Sequence, residues 1–194
     1  MGIKRHYFVP LVGVLLMSLT GQACAKEFRQ VLADKSTLSF NYKQMGVPME
    51  GRFRRFEAHI AFDPAKPDVA HAQLEVALAN IDAGSGEADE ALVGKSWFSA
   101  NTYPSARFVS TSIKTLIGNR YEVRGKLTIK GKTLDVSAPF TFKSEGTSGI
   151  FDGVFVLKRL DYAIGEGAWA DVSSVANEVR IRFHLTAVAA PIKK

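Results

Sequence analysis

Cysteine occurs once in the 194 residues, at Cys24. A fold held by disulfides is therefore excluded, and stability must come from packing. Histidine is almost as scarce, and no His-x-His, His-Glu-x-x-His or cysteine cluster offers metal-ligand spacing. Gly-x-Ser-x-Gly is absent too, so the usual nucleophile elbow is missing. His59, His71 and His184 read as surface groups, and the chain reads as a non-enzyme without cofactor or metal. No run of like charge, internal repeat or linker divides it. Without a basic stripe interleaved with aromatics, nucleic-acid binding is not expected.

The one long apolar run lies at the start. Lys4 and Arg5 precede an apolar stretch from Phe8 to Leu19, and Ala23-Cys24-Ala25 has the small-x-small pattern of a signal-peptidase site. The run is shorter than the roughly 20 residues of a membrane span. The expectation is a signal peptide over 1–25, cleaved after Ala25, and one periplasmic domain over 26–194. Cys24 leaves with the peptide; a lipid anchor there is disfavoured, because Gly21-Gln22-Ala23 lacks the larger aliphatic residue of a lipoprotein site. Removing Lys4 and Arg5 from the 25 basic residues leaves 23 against 19 acidic ones, a formal charge of +4.

What remains is dominated by alternation. Tyr121 to Phe142, YEVRGKLTIKGKTLDVSAPFTF, places Tyr121, Val123, Leu127 and Ile129 on one parity, breaks at Lys130-Gly131, and resumes with Leu134, Val136, Ala138, Phe140 and Phe142. Successive strand side chains point to opposite faces, so this is a β-hairpin with one apolar face. Gly125 sits on the apolar parity, where glycine marks a bend or a close approach.

Further strands are expected at 38–43, 56–62, 72–78, 106–116, 150–157 and 179–187. Met45 to Gly51, with two glycines and Pro48, reads as a loop. The three-residue step from Phe53 to Phe56 predicts a bulge or bend near Arg54-Arg55. Ile150 to Leu157 is apolar on both parities and reads as a strand covered on both faces. Glu87 to Lys95, acidic in its first turn, is a short helix suited to a lid or plug. Eight strands with so little helix must close on themselves or split into two sheets; an all-β, eight-stranded antiparallel barrel is the simpler outcome. Such a barrel is either filled by side chains or holds one small ligand, and alternation does not separate the two.

Several segments resemble the YceI-like polyisoprenoid-binding family: GRFRRFEAHIAFDPAKP, WFSANTYPSARFVSTSI, the hairpin above, RLDYAIGEGAW and ANEVRIRFHLTA. The resemblance spans almost the whole mature chain and implies an extended lipocalin-like barrel with one or two short helices. It also implies an exported protein that sequesters or carries a long-chain isoprenoid, quinone-like or other amphiphilic lipid, without catalysis. Trp97 stands where the family more often has phenylalanine or another aromatic.

On that reading the strand residues Phe40, Tyr42, Phe56, Ile60, Val76, Leu78, Phe108, Val123, Leu127, Phe140, Phe155 and Phe183 line the pocket. Trp97, Phe98 and Trp169, with Tyr103 and Tyr162, lie in irregular segments fit for a gate or a plug. Arg54, Arg55, Arg107, Lys158 and Arg159 could meet a polar head, although each reads more simply as a solvated charge. The partners expected are the lipid and, transiently, a membrane surface. The competing reading is a ligand-free structural or stress-response envelope protein.

Overall fold

The structure, a computed structural model, describes residues 26–190 together with Gly2. The expected signal peptide lies outside the described residues, apart from Gly2. The strands are β1 (Phe28–Val31), β2 (Thr37–Gln44), β3 (Val47–Phe53), β4 (Phe56–Phe62), β5 (His71–Ala77) and β6 (Ile81–Asp82). After helix α1 (Gly86–Val93) come β7 (Ser105–Thr115), β8 (Arg120–Ile129), β9 (Lys132–Glu145), β10 (Ser148–Lys158) and β11 (Glu178–Ala189).

The first six segments are the halves of three bent strands. β1 and β2 follow one another along β11, with Phe28 opposite Ala189 and Phe40 opposite Ile181. β4 pairs with β1 while β3 pairs with β2, and β5 pairs with β4 while β6 pairs with β3. The breaks lie side by side: the Arg54 N–H donates to the Asn80 carbonyl at 3.0 Å and the Ala77 N–H to the Arg55 carbonyl at 3.0 Å. Counting each bent pair once, eight long antiparallel strands run in sequence order and the last pairs with the first. The sheet is a closed barrel with no free long edge.

The bend expected at Arg54-Arg55 is present, and the loop expected from Met45 to Gly51 is not. Met45-Gly46 is a tight turn, both residues at positive φ, and Val47 to Gly51 already belongs to β3. Pro48 is tolerated because β6 covers only the Arg52 and Phe53 end of β3, so Pro48 lies on an uncovered edge. The strand expected to be covered on both faces is also corrected. In β10, Phe151 and Leu157 are buried, whereas Val156 on the opposite parity is 51% exposed. The outer face of the barrel is solvent, since only one helix is available to cover it among the described residues.

Inside, large rings lie against backbone. Side chains at Gly125 and Gly153 would collide with the rings of Phe108 and Phe183 respectively. A small barrel accommodates so many inward phenylalanines only where facing positions carry no side chain.

Candidate functional site

The two ends of the barrel differ. At the end holding the β7–β8 and β9–β10 turns, Phe28, Phe62, Tyr121, Phe140, Phe142 and Phe151 pack as one aromatic cluster. Its ring centroids stand 4.9 to 6.5 Å apart. None of the six is more than 7% exposed, so rings fill this end. From the cluster toward the other end runs a cavity of about 500 Å³. Val123 and Ile129 of β8 both line it, six residues apart, so it extends about 20 Å along the strand. Its exposed lining residues Gln44, Gly84, Ser85, Glu87, Ala91 and Trp169 gather at the loop end, which is the mouth; exposed Gln73 is in the wall.

Of the strand residues expected to line a pocket, all but Phe56 line this cavity: Phe40, Tyr42, Ile60, Val76, Leu78, Phe108, Val123, Leu127, Phe140, Phe155 and Phe183, and Trp97, Phe98 and Trp169 of the irregular segments join them. Phe56, beside the bend at Arg54-Arg55, packs against both halves of the core instead. Leu38, Ala58, Leu74, Val136, Ile181 and Leu185 join the wall; they share the parity of the named residues, so the same alternation marks them. Met49 falls in the stretch expected to be a loop and Phe53 at the expected bend, and the α1 residues Ala88, Ala91 and Leu92 are masked by the helix's weak apolar pattern.

Helix α1 lies across the mouth. Ser85 caps it, its hydroxyl accepting from the Ala88 N–H at 3.2 Å, and the Asp89 carboxylate accepts from the Ala83 N–H at 2.6 Å. Beyond the helix, the turn of the β8–β9 hairpin reaches over. The Lys130 ammonium donates to the Lys95 carbonyl at 3.0 Å, the Ala163 carbonyl at 2.8 Å and the Glu166 carboxylate at 2.7 Å. One cation thus ties three segments together, and its hydrogen bond holds the Glu166 carboxyl below the usual range.

Arg159, expected to be a solvated charge, is the largest fully buried side chain. Its five N–H groups all donate to backbone carbonyls: Nε to Ala176 at 3.1 Å, Nη1 to Ile164 at 2.9 Å and Gly165 at 3.1 Å, and Nη2 to Trp169 and Val175 at 2.7 Å each. The guanidinium also lies 5.6 Å from the Trp97 ring centroid. Gly165, at φ +79°, has no side chain because Nη1 occupies that space. Five donors in a fixed fork match five converging carbonyls, and so one side chain organises the whole 159–177 loop. Burial without an acidic partner draws its pKa down. No sequence pattern distinguishes such an arginine from a surface one, because its partners are main-chain atoms.

The aromatic residues of the irregular segments divide. Trp97 and Trp169 meet at 5.5 Å and line the cavity. Tyr103 is 37% exposed beside Gly131, outside it. Tyr162 is buried, and its hydroxyl, like the Trp97 indole nitrogen, has no hydrogen-bond partner among the described residues. Burial, and secondarily the neighbouring Asp161, pushes the Tyr162 phenol up to about 12. Arg54 is bound to Asp82 on the outer surface at 2.9 Å, and Arg55, Arg107 and Lys158 are exposed and away from the cavity. His59 and His71 are exposed, and His184 pairs with Asp152 on the outer face at 2.7 Å. No three His, Cys, Asp or Glu side chains among the described residues gather as a metal site.

Comparison with known proteins agrees with this geometry. The structure is similar to that of BcnA from Burkholderia cenocepacia, with 46% identity and a TM-score of 0.80 over 82% of this chain and all of that one. A polyisoprenoid-binding domain from Saccharophagus degradans shares the fold at 18% identity and a TM-score of 0.65, covering 86% of this chain and 99% of that one. In sequence, a UPF0312 protein of Pseudomonas syringae pv. tomato is 27% identical over 173 residues, 84% of this chain and 88% of the relative. A UPF0312 protein of Pseudomonas putida KT2440 is 27% identical over 146 residues, 74% of this chain and 76% of the relative. With residues 30–187 matching the YceI-like domain and the barrel closed as in these structures, the chain belongs to the YceI-like family.

Proposed function

We propose that this protein is a periplasmic carrier, exported by a signal peptide cleaved after Ala25, that holds one long-chain isoprenoid, quinone-like or other amphiphilic lipid in the barrel. The observation that carries the reading is the cavity: about 500 Å³, walled by aliphatic and aromatic side chains, blocked by rings at one end and open at the other. A filled scaffold of this family would need no such space. The kinship with a polyisoprenoid-binding domain supports the same class of ligand.

The energetics fit. Each methylene moved from water into the cavity gains about 0.8 kcal/mol, against an association cost of roughly 4 to 15 kcal/mol. A tail of about twenty carbons gains about 16 kcal/mol and is then bound, and the tail sets the affinity. The head stays at the mouth, near Tyr42, Gln44, Ser85 and Glu87. Arg159 is the one arginine or lysine of the wall, and its donors are already taken by carbonyls, which favours an uncharged head over a phosphate.

The test is organic extraction and mass spectrometry of the protein purified from its own periplasm, beside Ala138→Trp, which places an indole in the cavity. A stoichiometric long-chain species on the wild type and its loss from the folded variant is the expected result. A wild type that comes out empty and takes up no offered lipid would sink the carrier and favour the ligand-free envelope protein.

A further inference from the structure

A ligand buried in such a cavity must enter from somewhere, and the rim of the mouth carries exposed apolar side chains. Met45 is 80% exposed, Val47 58%, Val172 55% and Trp169 39%. They belong to one surface. The β2–β3 hairpin is joined to the 171–176 loop by a Gln44–Val175 bridge, by the Met45 N–H on the Ser174 carbonyl at 2.8 Å and by the Ala176 N–H on the Lys43 carbonyl at 2.9 Å. Gln44, Met49, Trp169 and Val175 line the cavity directly, so the apolar rim continues the apolar wall.

Met45 is the telling residue. It sits at φ +49° in a two-residue turn, a left-handed position that asparagine, aspartate or glycine adopts more readily. The β8–β9 turn has the same construction, with Lys130 at φ +49° before Gly131. There the strained residue is held by three hydrogen bonds from its ammonium group. Met45 has no such compensation, and its long apolar side chain projects into water from the hairpin tip. Neither backbone preference nor solubility selects methionine there, whereas insertion among lipid chains does.

Resting on the carrier reading, we propose that this rim is a membrane-docking surface: the tip of the β2–β3 hairpin and the Trp169–Val172 segment dip into a lipid bilayer and pass the ligand without crossing water. Projecting tips suit insertion better than a flat protein interface. Tryptophan at the edge suits the headgroup level. The flanking charges Lys43, Glu50 and Asp171 are of both signs, so attachment depends on apolar insertion and little on anionic lipid.

The test is flotation of the purified protein with phosphatidylcholine vesicles, together with uptake of N-phenylnaphthylamine in solution as a cavity probe. Variants are Met45→Asn alone, and Met45→Asn with Val47→Thr and Val172→Ser. Ile117→Ser is the control, since Ile117 is 96% exposed at the opposite end of the barrel. The wild type and the control are expected to float, the triple variant to float at least tenfold less with unchanged probe uptake, and raised salt to matter little. A wild type that stays in solution, or a triple variant that floats equally, overturns the docking surface. A wild type that floats yet takes up no probe in solution overturns the carrier reading and leaves the docking surface standing.

Discussion

Arg159 is where a single side chain does most to shape the mouth. Each of its five carbonyl partners loses a buried hydrogen bond if the fork is removed, at about 1 to 3 kcal/mol for each group left unpaired. Arg159→Lys keeps the charge but has only three donors on a flexible stem. It is expected to lower stability by about 3 kcal/mol or more, and the melting temperature by roughly 6 to 12 °C. A melting temperature unchanged within 2 °C would refute the organising role. Tyr162 presents the opposite case, a buried hydroxyl with nothing to bind. Tyr162→Phe removes that unpaired group and is expected to stabilise by up to about 1 kcal/mol in denaturant titration. Its pH dependence has a definite sign. With the folded phenol raised to about 12 above an unfolded value of 10.0, the unfolded chain deprotonates first, so wild-type stability is level below pH 10 and falls further below that of Tyr162→Phe as pH rises to 12. The stability difference between wild type and Tyr162→Phe therefore changes across that window and stays flat between pH 7 and 9.

Among the elements, the turns at the loop end act as fasteners. Lys130 sits at a hairpin tip and joins the segment after α1 to the 163–166 loop. Lys130→Met leaves the part-buried Ala163 carbonyl without its donor and is expected to cost about 1 to 3 kcal/mol. It should also accelerate amide hydrogen exchange in residues 94–104 and 163–169 while β8 and β9 keep their protection; uniform protection throughout would contradict the fastening role. Because the Glu166 pKa is depressed by this lysine, that link is complete above the ordinary carboxylate range and is lost as pH falls through the lowered value. The strands themselves were legible as alternation, since each buries one face. β3 was not, because Gly46, Pro48 and Gly51 look like breakers when the edge position that tolerates them is unknown. β10 misled in the other direction: Val154 and Val156 imitate a second buried face although no layer covers them.

At the scale of the molecule, closure and emptiness are separate matters. Closure follows from eight strands that pair in sequence order and from the last meeting the first. Emptiness depends on where the rings fall: six pack one end, while the wall beyond them is left with space that Ala138 and its neighbours do not fill. Ala138 borders the ring cluster and also lines the cavity, so the indole of Ala138→Trp has that space to grow into. Chemical denaturation of the ligand-free variant is expected to show no more than the roughly 1 to 3 kcal/mol loss that overpacking brings, so its failure to hold lipid would report obstruction and not unfolding.

The sequence by itself determined that the chain is all-β, which side chains face inward along most of each strand, and that the loop-end aromatics stand apart from the strands, because period-two alternation is a local property. It also carried the family in its motifs. Only the tertiary structure decided that two further strands bend beside the one at Arg54-Arg55, that Arg159 is buried among carbonyls, that Phe56 misses the cavity and that one end is plugged while the other is open. Those features depend on distances between residues up to the length of the chain apart, on carbonyl groups every residue possesses, and on whether facing rings meet or leave a gap.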